Sequence, residues 1–307
     1  MQSLFCDKKT PIHRLHPLCK LLWVCGVFLG SLVLNDPVLL LVLFLSTIPF
    51  FVVGQIVHEW FVFLQFALYF SLLIFLINSL VSQHGSTMLF QSPWSSYSFS
   101  ITLESVVFSV MMCLRLFATI SAFALLTLTV DSDSLLNTFR LLRFPEKTVF
   151  TTSLSLRFMP LLFHDLELLQ QSLQTRGYSL QHSKRFFTRI RRQMILVIPL
   201  LTNALDRAIQ SAEAMEARGF GSSGKKTVFN KKKITTVDVF LLVVSSFGIV
   251  FFFLLFIFDV SSFSVYPTVS SIQFSFSYLV LVFGVLVVVT LPILFSPLKR
   301  MIEYDSI

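Results

Sequence analysis

The sequence predicts an all-α, polytopic membrane protein with about six transmembrane helices and two long cytoplasmic helices between spans four and five. Three observations carry this prediction. Hydrophobic residues make up 55% of the 307, with 36 phenylalanines, and the mean hydropathy is +0.80, more apolar surface than one water-soluble core can hide. Six apolar runs approach the roughly 20 helical residues that cross hydrocarbon. Between the fourth and fifth runs lies a block, residues 131–236, too polar to rest in lipid.

The first run, Leu18 to Leu34, follows a charged N-terminal stretch with no small-residue cleavage site, so it reads as a retained span rather than a signal peptide. The second, Pro37 to Val57, carries Pro49, Gly54 and a short Asn35-Asp36 connection, which also suit a tilted or re-entrant hairpin. Trp60 to Val81 and Ser105 to Val130 complete an N-terminal membrane domain, 1–130, of about four spans. Val237 to Phe258 and Phe276 to Phe295 form the C-terminal segment, 237–307, of about two.

Basic residues orient these spans, because cytoplasmic loops accumulate Lys and Arg. Of 24, four precede the first span (Lys8, Lys9, Arg14, Lys20), seventeen fall between Arg140 and Lys233, Lys299 and Arg300 follow the last, and Arg115 sits inside a span. The loops at 82–104 and 259–275 contain none. An even number of crossings with both termini and the central block in the cytoplasm satisfies every count. The net charge of +8 is then a topology signal, and the lysines at 225–226 and 231–233 form a solvated linker near lipid headgroups rather than a nucleic-acid surface. The four cysteines, Cys6, Cys19, Cys25 and Cys113, show no Cys-x-x-Cys pair and imply no disulfide framework.

The central block reads as three helices. Ser132 to Arg143 is short and amphipathic, capped by Asp131, Ser132 or Asp133 and ended by Pro145. Thr148 to Arg176 is interrupted by Arg157, His164, Asp165 and Glu167. Arg192 to Arg218 carries Leu201, Leu205, Ala208, Ala212 and Met215 on one stripe, with Asp206, Arg207, Gln210 and Glu213 elsewhere. The two long helices end in the same phrase, Thr175-Arg176-Gly177-Tyr178 and Ala217-Arg218-Gly219-Phe220, each after a Pro-Leu-Leu start at Pro160 and Pro199. Arg and Gly at a helix end have an ordinary explanation in the helix dipole and the left-handed cap. A planar guanidinium also suits a carboxylate-lined pocket on another protein, and the pattern alone leaves capping and docking open.

Leu15-His16-Pro17-Leu18-Cys19-Lys20-Leu21-Leu22, Leu114-Arg115-Leu116, Leu156-Arg157-Phe158-Met159-Pro160-Leu161-Leu162 and above all Ala214-Met215-Glu216-Ala217-Arg218-Gly219-Phe220 resemble the transmembrane T component of energy-coupling factor (ECF) transporters, a branch of ABC importers. The likeness covers roughly residues 10–258, with His16 where the family usually has an acidic residue. It implies a non-catalytic subunit of a prokaryotic plasma-membrane importer that joins two cytosolic ATPases to a substrate-capturing membrane subunit. It also implies that Arg176 and Arg218 each enter a groove on one ATPase. Thr175 and Ala217 would precede these anchors, and Gly177 and Gly219 would keep the approach close. ATP and Mg²⁺ would bind the ATPases, with no cofactor in this chain, and vitamins, cobalt, nickel and other metals all stay open as cargo.

Other motifs read blandly. Gly219 to Lys226 follows the phosphate-loop spacing, but Lys226 stands where Ser or Thr must hold Mg²⁺, and a helix rather than a strand precedes it. His13, His16 and Cys19 are spaced by three, yet Pro17 interrupts them and no carboxylate joins, so they read as interface residues and not metal ligands. Arg115, a charge within the fourth span, pairs structurally with a carbonyl or carboxylate or serves function. The rival class is a self-sufficient channel or secondary transporter, which calls for inverted repeats or broken helices with facing charges. Neither is visible, and no catalytic constellation is present.

Overall fold

A computed structural model describes residues 10–81, 87–91, 100–177, 186–221, 236–258, 278–287 and 289–290. The chain divides into two compact units, Met1–Leu135 with Lys232–Ile307, and Leu136–Lys231.

In the first unit, prolines start the opening helices: Pro11, Pro17 and Pro37 stand in the first turns of α1 (Pro11–Arg14), α2 (Pro17–Val33) and α3 (Pro37–Gly54), where a missing N–H costs nothing. His16 caps α2, its Nδ1 accepting from the Leu18 N–H at 3.2 Å. An imidazole nitrogen thus performs the capping that a carboxylate oxygen performs elsewhere. Gln55, left-handed at φ 54°, turns α3 into α4 (Val57–Val81) within two residues. A short antiparallel ribbon, β1 (Met88–Gln91) with β2 (Ser100–Thr102), leads into α5 (Leu103–Thr129). Among the described residues, this ribbon departs from the helical pattern. Later come α9 (Thr236–Ile257) and a short apolar helix, α10 (Tyr278–Val287).

Among the described residues, α3, α4, α5 and α9 are long and apolar enough to cross a membrane, while α2 and α10 are shorter apolar helices. The chain is an all-α polytopic membrane protein. The second run is one continuous helix of 18 residues with Pro49 inside it. The C-terminal part of the sixth run lies outside the described residues.

α5 is the hub, packing on α2, α3 and α4, while α2 also lies along α9. Ala118, Ser121 and Ala122 on α5 are fully buried, and such small residues let helix backbones approach closely where lipid offers no hydrophobic drive. Trp23 and Phe50 meet at 4.2 Å between centroids, and Phe51 stacks on Trp60 at 4.4 Å. Both indole N–H groups are satisfied, Trp23 by the Val289 carbonyl (3.1 Å) and Trp60 by Ser121 Oγ (3.2 Å).

Three charges in this unit are tied to the main chain. Lys20 does not precede the first span: it sits inside α2, 4% exposed, with Nζ donating to the carbonyls of Thr129 (2.9 Å) and His13 (3.4 Å). Thr129 ends α5, so the ammonium meets the negative pole of that helix. Glu104, in the first turn of α5, accepts from the Thr87 N–H (3.2 Å) and hydroxyl (2.8 Å). Asp238, fully buried in the first turn of α9, accepts from the His16 N–H at 3.2 Å.

The second unit contains α7 (Glu146–Thr175) and α8 (Phe186–Ala217). α6 (Ser132–Leu141), which bridges the unit boundary, ends at Leu141 rather than Arg143. Arg143 turns left-handed at φ 61° and Pro145 caps α7 instead of stopping α6. α7 and α8 each begin earlier than the sequence suggested, and the Pro-Leu-Leu phrases do not start them. Pro160 and Pro199 are interior, so each helix continues through its proline at the cost of one main-chain hydrogen bond.

Close packing at Gly30 gives a testable contrast. A Cβ there would lie 2.8 Å from both Leu43 Cδ1 and Phe252 Cζ, whereas one at Gly26 would meet only Ile249 Cγ1 at 3.7 Å. Thermal unfolding in detergent should show Gly30→Ala destabilised by about 1–3 kcal/mol and Gly26→Ala close to the parent. Equal midpoints for the two variants would contradict this packing.

Candidate functional site

The tips of α7 and α8 are built by main-chain geometry. At α8, Arg218 is the cap residue, Gly219 follows at φ 73°, and two hydrogen bonds close the end: Gly219 N–H to the Glu216 carbonyl (2.8 Å) and Phe220 N–H to the Met215 carbonyl (2.9 Å). This is the Schellman arrangement, in which the glycine takes the left-handed position and the next residue reaches back over the turn. At α7, Arg176 caps, Gly177 follows at φ 82°, and its N–H donates to the Gln174 carbonyl at 3.0 Å. Tyr178 lies outside the described residues.

Neither guanidinium takes part in this closure. Arg176 and Arg218 are exposed, and among the described residues neither side chain makes a hydrogen bond or ion pair. Thr175 Oγ1 donates to the Ser172 carbonyl of its own helix (2.8 Å), and Ala217 is exposed. A Cβ at Gly177 would meet nothing within 4 Å. The glycine is therefore required by its dihedral angle, and the space beside it is open.

Two contacts orient the helices. Arg207 Nη1 of α8 lies 2.9 Å from Asp165 Oδ2 of α7, and the rings of Phe150 and Phe220 pack at 4.8 Å. Moving forward along α8 from 207 to 220 corresponds to moving backward along α7 from 165 to 150, so the helices are antiparallel. Arg176 and Arg218 consequently sit at opposite ends of the pair. Each lies 11 residues beyond its member of the ion pair, about 16.5 Å at 1.5 Å per residue, which separates the tips by about 33 Å along the axis. Residues 42 apart play matching parts: 165 and 207, 175 and 217, 176 and 218, 177 and 219.

The apolar stripe of α8 is largely exposed. Leu201 and Leu205 are 67% and 60% exposed, Ala208 and Ala212 are exposed as well, and only Met215 of that stripe is half-buried. The sheltered positions between 204 and 215 are Ala204, Arg207, Ser211 and Met215. Hydrophobic periodicity assigns Arg207 to the solvent face, and the signal that corrects it is Asp165, an opposite charge on the facing helix.

The remaining sequence-derived positions lie apart from the tips. Arg115 Nη2 donates to the Leu34 carbonyl (3.2 Å) and to Asn35 Oδ1 (3.3 Å), tying the α2–α3 turn to the middle of α5. His13 Nδ1 meets Thr10 Oγ1 at 2.6 Å, His16 Nδ1 faces its own helix start, and the Cys19 thiol donates to the Asp238 carbonyl at 3.4 Å. These three side chains do not converge on one point. Of the phosphate-loop-like stretch, Gly219 to Gly221 form the turn after α8, and Ser222 to Lys226 lie outside the described residues.

The family profile of CbiQ, the cobalt transport protein, matches residues 8–229, a stretch that includes both arginine tips. The chain belongs to the CbiQ family. Its relatives include the energy-coupling factor transporter transmembrane protein EcfT of Exiguobacterium sibiricum, 32% identical over 176 residues, covering 55% of this chain and 65% of that one. EcfT of Bacillus subtilis is 29% identical over 272 residues, covering 80% and 97%. An uncharacterized MG181 homolog of Mycoplasma pneumoniae is 27% identical over 180 residues, covering 56% of this chain and 41% of that protein. The chain thus spans less than two thirds of the E. sibiricum and M. pneumoniae relatives. Within this CbiQ-family chain, α1 to α8 fall inside the matched stretch and α9 lies beyond it.

Because the main chain closes the tips, Arg176→Ala and Arg218→Ala should leave helix content and amide exchange in the last turns unchanged. Gly177→Val and Gly219→Val, forced into the left-handed region, should each cost about 1–2 kcal/mol of local stability. Hydrogen exchange of the two helix ends checks both expectations, and fraying in the arginine variants would show that the side chains cap.

Proposed function

We propose that this protein is the transmembrane coupling subunit of an ECF-type ABC importer. It would transmit the motion of two cytosolic ATPases to a separate membrane subunit that captures a vitamin or metal ion. The observation that carries the reading is the pair of equivalent, outward-facing arginine tips at opposite ends of one antiparallel helix pair. Two like anchors about 33 Å apart suit two like partners, which are the two halves of an ATPase dimer. The names of the EcfT relatives and the CbiQ family match support the same assignment.

In this reading the block 131–236 and both termini face the cytoplasm, an orientation that the distribution of Lys and Arg supports. Arg176 and Arg218 are the anchors. A guanidinium that loses water against carboxylates or carbonyls on its partner contributes on the order of 2 kcal/mol or more and is a frequent hot spot. The glycine after each one leaves room for the partner surface. Nucleotide and Mg²⁺ belong to the ATPases, and this chain is non-catalytic. Its helices carry displacement because a packed antiparallel pair moves as one lever.

Co-expression with the ATPases, followed by purification through a tag on this chain, tests the proposal. The parent should retain both ATPases and, with a capture subunit in proteoliposomes, should drive ATP-dependent uptake. The double variant Arg176→Ala/Arg218→Ala should lose ATPase retention by about 30-fold or more while keeping the parent's thermal midpoint. Transport by the purified chain alone, or full coupling in the double variant, would refute the reading in favour of a self-sufficient transporter.

A further inference from the structure

We propose that the Asp165–Arg207 ion pair is a register pin, a positioning device that fixes the separation of the two arginine tips. The inference rests on the coupling-subunit reading for its functional consequence, though not for its geometry.

The pair occupies the midpoint of the arrangement, 11 residues from each tip. Its contacting atoms are sealed from solvent, and neither has a hydrogen-bond partner among the described residues. The 2.9 Å contact therefore lacks hydrogen-bond alignment, and its attraction is chiefly coulombic. The side chains are 31% and 12% exposed, for Arg207 and Asp165 respectively, so water screens them only in part.

The neighbouring residues explain why a charge pair stands here. On α7 the half-buried positions around Asp165 are Leu162, Leu166, Leu169, Gln170 and Leu173, and on α8 Arg207 lies in a row with Leu200, Ala204, Ser211 and Met215. A seam that is mostly leucine on one side packs almost as well after slipping by one turn, because many of the groups brought into contact are alike. Such a slip would shift one tip against the other by about 5.4 Å. One half-buried charge pair on a mostly apolar seam favours a single register, since a slipped register leaves both charges partly desolvated and unpaired. Stability alone gives no reason for it, because apolar side chains of similar size fill such a site as well or better.

The test uses the full-length chain with Cys6, Cys19, Cys25 and Cys113 changed to Ser and spin labels placed at Gln174 and Glu216, both exposed beside the tips. Pulsed electron paramagnetic resonance in detergent should give one narrow distance for the parent. Asp165→Arg and Arg207→Asp should each broaden it or displace it by about 5 Å, and the reversal Asp165→Arg/Arg207→Asp should restore it. The apolar pair Asp165→Leu/Arg207→Met should keep or raise the thermal midpoint and still give several distances, an outcome a purely stabilising role would not produce. In proteoliposomes with the ATPases, the single reversals should retain both ATPases yet lose about tenfold in uptake per ATP hydrolysed, recovered in the double reversal. A parent-like distance in the apolar pair, or a double reversal that restores neither distance nor coupling, would overturn the pin. A parent that binds no ATPase would instead sink the coupling-subunit reading, while the distances would still decide the register.

Discussion

Hydrocarbon offers no water, so every polar group carried into the membrane unit must find its partner inside the protein. Three of the described charges meet it through main-chain atoms. Lys20 meets the carbonyl that ends α5, Asp238 accepts the amide before α2, and Arg115 holds the carbonyl at the end of the same helix. These contacts join helix ends that are distant in sequence, so the polar residues that hydrocarbon tolerates least also fix how α2, α5 and α9 meet. The apolar bulk around them, with Ala118 and Ala122 packed close and Gly30 wedged between Leu43 and Phe252, supplies contact area but less directional information.

The second unit answers a different requirement. Its helices keep large apolar side chains exposed, Ile198 at 73% and Leu201 at 67% among them, and hold together through a short list of contacts. What they organise is placement. A Schellman turn uses amides and carbonyls to stop the helix, which leaves the cap arginine free for another task. The phrase Arg-Gly-aromatic thereby separates its two readings physically. Glycine and the following aromatic residue make the turn, with Phe220 pinned on Phe150, and the guanidinium projects from it. Antiparallel pairing then distributes the two Arg-Gly helix ends to opposite ends, the geometry on which the proposed coupling of two ATPases depends.

Much of this was legible in the sequence. The apolar runs located the long helices to within a few residues, because hydropathy over some 20 residues is hard to mistake, and Gly177 and Gly219 identified both helix ends. Prolines were misread where local rules conflict. Pro160 and Pro199 look like helix starts but stand within α7 and α8, and Pro145 opens a helix where it was expected to close one. The buried roles of Lys20 and Arg207 escaped for a common reason. Periodicity assigns a charged residue to solvent, and only a partner distant in sequence, Thr129 or Asp165, reverses that assignment. The ribbon at β1 and β2 lay in a loop whose short strands carry no long-range pattern.

The central claim is that one chain presents two equivalent anchors to two ATPases. Native mass spectrometry of the complex released from detergent measures it most directly, because it counts subunits. The account predicts one copy of this chain with two ATPases in the parent, and none when both Arg176 and Arg218 are alanine. A parent that carries one ATPase or none, or a doubly substituted chain that still carries two, would contradict it.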